Sequence, residues 1–370
     1  MDYSGLIKNT RELLLKHKAD WEALWAGYAD EISRNLPFIQ VMHRRFNQWK
    51  PLYLYLTKTE AGKASNKVTF QLRYLGTRVA ELIASRSQIT LSTKGYEKTN
   101  KDLFGCQISL NDSDWNGLEA KEFRRHFRDK PRDDKNETQP EHRIESLLLT
   151  EFSKRQTSKK ALRGIQPVKI AGVRFPMPTP LAASEHGEIK YKGFRGGGID
   201  ILARVRTGRR TNLCIIELKD ENKDGEPASD ALEQAIIYTV FIRELLRSKS
   251  GATWWKLFGF RDPCVPEPLV LYAACAMPNK RGADTSFADN EYGIYYNDED
   301  DKIRLHYIYF KDCGDRIGIP RTSLGTHEEI FVSRHPSEEF IQRVREIKAS
   351  DPEPFRILYS PPEDSLGSNT

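Results

Sequence analysis

The chain has 370 residues, of which 30% are charged and 38% hydrophobic, and a net charge of +6. That length exceeds what one hydrophobic core usually organises, so two or three domains are expected. No apolar run approaches the roughly 18 residues of a membrane span, and the first stretch, MDYSGLIKNTRELLLKHKAD, has no continuous apolar signal core, so a cytoplasmic protein without a membrane partner is expected.

The five cysteines (Cys106, Cys214, Cys264, Cys275, Cys313) are scattered and form no C-x-x-C pair, which argues against a disulfide framework or a structural zinc site. Charge is uneven along the chain: +6 over residues 1–140, +6 over 141–250 and −6 over 251–370. The basic surplus lies in the first two thirds.

Residues 6–15 and 21–35 carry apolar side chains at helical spacing, with Trp21, Leu24, Trp25, Tyr28 and Ile32 forming the second stripe. Two packed helices are predicted, their aromatics serving as core. The mixture His43-Arg44-Arg45-Phe46-Asn47-Gln48-Trp49-Lys50 reads as a solvated helix end, or alternatively as a basic and aromatic track for a phosphate backbone. Strands are predicted at 52–56, 68–75, 79–83 and 89–91, with a turn at Gly76-Thr77. Arginines at 124–132 close a further helix. The charged segment that follows has no apolar periodicity and reads as a linker. The expected organisation is a basic α+β amino-terminal domain over 1–130 that binds nucleic acid or a partner, a linker over 131–138, a second domain over 139–350 and a disordered tail over 351–370.

The second domain opens on a helix at Pro140-Glu141, where Pro and an acid suit the first turn. Ile144, Leu147, Leu148 and Phe152 make its buried stripe, and Glu145 beside that stripe is the acid best placed to point inward, with Glu151 the alternative. His142 reads as an exposed helix-end residue rather than a ligand. Residues 168–176 are predicted as the first strand, leaving the sheet or lying at its edge because of the prolines that follow. Gly196-Gly197-Gly198 allow either a sharp entry into the next strand or close passage of a phosphate.

Residues 199–205 and 213–218 are short β-branched runs around the turn residues 207–211, so a hairpin is predicted. Alternation puts Glu217 and Lys219 on one side and Ile216 and Leu218 on the other. The start of one hairpin strand faces the end of the next, so Asp200, Glu217 and Lys219 converge. Two carboxylates beside a lysine suit metal-assisted phosphodiester hydrolysis, since Mg2+ favours one or two carboxylates and open positions for water and phosphate. In the following helix Ala231, Gln234, Ala235 and Tyr238 share a face, whose small residues let it approach the sheet. Residues 267–277 read as a strand buried on both faces, completing an αβββαβ order. Runs at 292–296 and 303–310 flank the acidic residues 297–301, predicted to be an exposed turn without calcium-loop spacing. A last helix is predicted at 337–347. No internal repeat is present.

Gly198-Ile199-Asp200 followed by Glu217-Leu218-Lys219 resembles the motif of the PD-(D/E)xK, restriction-endonuclease-like nuclease superfamily, and Gln234 with Tyr238 resembles the Q-x-x-x-Y helix motif of its RecB-like and Cas4-like branches. Glu145 matches the glutamate on the helix that opens that core. No Pro precedes Asp200, a departure at a position that varies in the superfamily. The resemblance covers residues 138–280 and implies an α/β restriction-endonuclease-like core behind a separate α+β amino-terminal domain. It also implies a hydrolase cutting nucleic acid, DNA ahead of RNA, with Mg2+ as cofactor and Mn2+ able to substitute. Asp200, Glu217 and Glu145 would hold the metal, with Lys219, Gln234 and Tyr238 completing the catalytic set. Such enzymes serve defence against foreign DNA or DNA repair. A non-catalytic binding or scaffolding protein retaining the same fold is the alternative, and a protein partner or a second copy of the chain stays open.

Overall fold

A computed structural model describes residues 3–46, 49–57, 67–85, 87–129, 140–153, 165–183, 188–207, 210–219, 228–278, 291–296, 299–312 and 317–318. The linker expected at 131–138, the helix at 337–347 and the tail lie outside them.

The chain begins with helices α1 (Tyr3–Lys16) and α2 (Lys18–Phe46) and continues through strands β1 (Leu52–Leu56), β2 (Lys67–Tyr74), β3 (Thr77–Ser85) and β4 (Ile89–Ser92). Helix α3 (Glu97–Phe104), strand β5 (Ser113–Asp114) and helices α4 (Leu118–Asp129) and α5 (Pro140–Phe152) follow. Next come β6 (Ile165–Pro167), β7 (Lys169–Ile170), β8 (Val173–Arg174), β9 (Leu181–Ala183) and β10 (Ile189–Tyr191), then the hairpin β11 (Ile201–Thr207) and β12 (Arg210–Leu218). Helices α6 (Ala228–Leu246) and α7 (Gly251–Leu257) lead into β13 (Val270–Pro278), β14 (Glu291–Tyr296), β15 (Glu299–Asp312) and β16 (Ile317–Gly318).

The result is mixed α/β with two seven-stranded sheets. The first runs β5-β4-β3-β2-β1-β8-β7. The second runs β14-β15-β13-β12-β11-β6, with β16 paired to β15. In the second sheet β6, β11 and β12 are antiparallel, and β13 joins β12 in parallel after the α6 crossover, the arrangement that a helical connection between parallel strands permits. Helix α5 covers one face through Ile144, Leu148 and Phe152 against Ile201, Ile216 and Leu218. Helix α6 covers the other, where Leu202, Leu213 and Ile215 point. The alternation read from the sequence is thus obeyed by both hairpin strands.

Residues 168–176 are not a strand of the second sheet. Val168 still donates its N–H to the Leu202 carbonyl, but β7 and β8 fold back as a two-residue hairpin, and Arg174 of β8 pairs with Tyr55 of β1 in the first sheet. The turn needs positive φ at Ala171 (47°) and Gly172 (92°), a conformation that glycine adopts without penalty.

The amino-terminal unit is not separate either. Helix α6 is apolar nearly all round, as a helix enclosed on every side must be: the sheet takes one side and α1 and α2 take another. Trp21 and Trp25, each 1% exposed, meet the Phe241 ring edge to face, and Arg11 of α1 pairs with Glu244 of α6 at 3.2 Å. One hydrophobic cluster runs from Ile7 through the first sheet to Leu305. The tryptophans are core, each worth a few kcal/mol of burial. Arg124, expected as part of a surface cluster, is also interior: it donates to the Trp115 carbonyl and stacks on the Trp49 and Trp115 rings, while Arg125 is exposed.

The acidic run at 297–301 is likewise more than an exposed turn. Asp301, 2% exposed, accepts from Arg243, Arg247 and the Leu269 N–H. It ties α6 to the β13 and β15 strands, because a buried carboxylate requires this degree of pairing. Among the described residues no helix is long and apolar enough to cross a membrane.

Candidate active site

The site is assembled at the end of the β11–β12 hairpin. Ile201 pairs with Ile216, so the same register sets Asp200 across from Glu217. The Asp200 Oδ2 accepts the Leu218 N–H at 2.9 Å, which holds the carboxyl at the strand end. Lys219 leaves β12 with its N–H bonded to the Ala276 carbonyl of β13 at 2.9 Å, so its backbone is fixed by the central strand. Glu217 is 8% exposed and Lys219 5%. Asp200, Glu217 and Lys219 therefore meet as the spacing required.

Burial and mutual repulsion govern their protonation. Burial, followed by the Glu145 charge, pushes Asp200 up to about 7, against the Leu218 N–H and Lys219. Glu217 is raised well above the usual carboxylate range by burial and then by Asp200, to whose carboxyl it is hydrogen-bonded. A pair of carboxyls in that position shares a proton at neutral pH. The Glu217 Oε2 is buried with no hydrogen-bond partner among the described residues. Buried oxygens are rarely left so, and a cation is one of the few occupants that satisfies one.

Tyr238, 5% exposed, lies on α6 beside this pair, and Gln234, 7% exposed, sits one helical turn before it. The Tyr238 hydroxyl is held neutral by burial and then by the Glu217 and Asp200 charges, and it accepts the Ala183 N–H. The glycine run makes this packing possible. A Cβ on Gly197 would come 2.7 Å from the Tyr238 hydroxyl, and one on Gly196 would come 2.1 Å from the Thr179 carbonyl oxygen. The glycines admit the neighbouring chain and the tyrosine.

Glu145 does point inward, at 7% exposure, while Glu151 is only half-buried. Its direct partner is Arg73 of β2, with Nη1 to Oε2 3.5 Å apart. Burial raises the Glu145 pKa against the Arg73, Arg174 and Arg78 charges. Among the described residues no three His, Cys, Asp or Glu side chains form a group able to hold one metal ion, and the Glu145 charge acts on Asp200. His142 sits near Arg73 and Arg78, and burial and those cations lower its pKa; it joins no such group.

Arg73 was not readable from the sequence, where it sits in an apolar strand run. Its placement depends on Gly76 at the β2–β3 turn, whose hypothetical Cβ would lie 1.8 Å from the His142 carbonyl oxygen. The turn is pressed on the first turn of α5, which brings Arg73 to Glu145 one helical turn further on. The only signal available was a long cation amid alternating buried positions. Comparisons with protein-family models, curated proteins and solved structures give no match to this chain.

Proposed function

We propose that this chain is a metal-dependent nuclease with a restriction-endonuclease-like core, acting on nucleic acid and on DNA in the first instance. The observation that carries this reading is the Asp200–Glu217 pair beside Lys219, with the buried Glu217 Oε2 unpartnered among the described residues. The order α5, β6, β11, β12, α6, β13 supports it, with the parallel crossover leading to β13.

The residues fit a divalent ion of the Mg2+ class. Asp200 and Glu217 would hold it, two carboxylates being what such an ion takes when it keeps water and phosphate in its other positions. A bound ion supplies a more acidic water and offsets phosphate charge. The chain supplies the rest. The Lys219 backbone is held by β13, and its ammonium would offset the charge that develops on a phosphoryl oxygen. Tyr238 closes the α6 side of the pair as a phenol that keeps its proton, and Gln234 would add a neutral polar group one turn before it.

The test is incubation of the full chain with single- and double-stranded DNA and RNA, in Mg2+, Mn2+ or EDTA. Cleavage is expected with either metal and absent in EDTA. Asp200→Ala and Glu217→Ala should abolish it while leaving nucleic-acid affinity largely intact, because affinity comes mainly from phosphate contacts elsewhere. Full activity in EDTA, or an active Asp200→Ala protein, overturns the mechanism. Binding without cutting under every metal leaves a non-catalytic binding protein on the same fold.

A further inference from the structure

A cavity of about 510 Å3, lined by neither Asp200 nor Glu217, opens between the end of α2, β1, the β7–β8 turn and the end of α5. Its volume is that of a small-molecule site. Its walls carry His43, Lys50, Lys169 and Arg174, together with the Thr150 and Ser153 hydroxyls. Among the described residues no carboxylate lines it.

Among the described residues no carboxylate forms a direct ion pair with His43, Lys50, Lys169 or Arg174. Arg174 is 6% exposed, and the partners of its guanidinium are neutral oxygens: the Tyr55 hydroxyl at 2.8 Å, the Ser146 hydroxyl at 3.1 Å and the Thr150 hydroxyl at 2.9 Å. It also feels Glu145, but that carboxylate is paired directly with Arg73. The cations repel one another. After burial, Arg174 and Lys50 bring Lys169 down to about 8, and Lys169, Lys50 and Arg44 lower His43. The backbone is shaped to keep them together, since any side chain at Gly172 would strike the His43 ring, at 2.5 Å from Cβ.

We propose that this cavity binds a phosphate monoester, the terminal phosphate of either a free nucleotide or a nucleic-acid strand. A cluster of cations with no acid among the described residues suits a compact anion with several acceptor oxygens. A monoester carries up to two negative charges at neutral pH, against one for an internal diester. The inference goes beyond the hydrolytic reading and does not depend on it, because none of these residues belongs to the carboxylate pair.

Isothermal titration of the full chain in EDTA tests it, with inorganic phosphate, adenosine 5′-monophosphate, adenosine, and one single-stranded oligonucleotide prepared with a 5′-phosphate and with a 5′-hydroxyl. Phosphate and the monophosphate should bind and adenosine should not. The Lys50→Ala/Lys169→Ala double variant should weaken monophosphate binding about tenfold or more, and Asp200→Ala should leave it unchanged, which separates this outcome from any failure of the nuclease reading. A 5′-phosphorylated strand binding well above both its 5′-hydroxyl form and the mononucleotide identifies a strand end as the source. A mononucleotide that binds as well as the phosphorylated strand identifies a free nucleotide. Should the double variant fail to fold, the single variants Lys50→Gln and Lys169→Gln decide, each of which must weaken monophosphate binding. No binding of phosphate or monophosphate, or affinity unchanged in the folded variants, overturns the proposal.

Discussion

Removing one carboxyl from the Asp200–Glu217 pair should make the metal-free protein more stable at neutral pH. Asp200 titrates at about 7 in the folded chain against 3.8 when unperturbed. Between those values the native state keeps a proton that the unfolded chain releases, so stability is complete below about pH 4 and falls as pH rises toward 7. A gap of roughly three pH units, at about 1.4 kcal/mol each, sets a ceiling of about 4 kcal/mol. Asp200→Asn removes the ionisation while its side-chain oxygen can still accept the Leu218 N–H, which lies 2.9 Å from the native carboxyl. Urea melts in EDTA from pH 4.5 to 8 should show wild type losing stability across that range and Asp200→Asn losing less, so that the variant is the more stable by about 1–4 kcal/mol at pH 7.5. Added Mg2+ should restore wild type and do little for the variant, because an ion that binds only the native, deprotonated pair stabilises it by mass action. If Asp200→Asn is no more stable than wild type at pH 7.5 and has the same pH slope, the carboxyls are not the strained, proton-sharing pair described above.

Lys219→Ala should lower the cleavage rate by about 10²-fold or more with Mg2+ affinity, read by calorimetry, nearly unchanged; loss of metal binding equal to that of Asp200→Ala would make Lys219 part of the ion's site. Arg73→Met leaves Glu145 buried without its cation, and denaturant melts should show a loss of about 3 kcal/mol at pH 8 that shrinks at pH 5 as Glu145 takes up a proton; an undiminished loss at pH 5 would point to packing instead. Charge reversal at the exposed Arg44, Arg45 and Arg125 should weaken binding to all nucleic-acid sequences alike and flatten the dependence of log affinity on log salt by about 1 for each phosphate no longer neutralised, and an unchanged slope would remove nucleic acid from that face.

Local patterns made the hairpin legible. A period of two, a polar turn and a buried run are properties of ten or so neighbouring residues, so Asp200, Glu217 and Lys219 could be brought together from spacing alone, and small residues around Gln234 and Tyr238 announced a close helix. Residues 168–176 misled for the same reason: an apolar run says that a strand is buried but not in which sheet, and the turn at Ala171 and Gly172 sends it to β1. Asp301 looked like solvent because four acidic or polar neighbours precede it in sequence. Its partners Arg243 and Arg247 are more than fifty positions away and are found only by folding. The charge of Arg124 misled similarly, since the cost of burying a guanidinium is offset by the Trp49 and Trp115 rings, which no local window includes.

The shared core changes what the amino-terminal unit can be. Trp21 and Trp25 cover Phe241 on the same helix that carries Tyr238 to the carboxylate pair, and the β2 strand contributes the cation that neutralises Glu145. The Glu145 charge in turn raises the Asp200 pKa. Deleting residues 1–138 would therefore expose the outer side of α6 and strip Glu145 of its direct partner Arg73, so a fragment's loss of cutting could not be assigned to lost binding of nucleic acid. The unit acts as one wall of the site, and a role in holding substrate has to be read from exposed cations such as Arg44, Arg45 and Arg125, whose replacement leaves that wall standing.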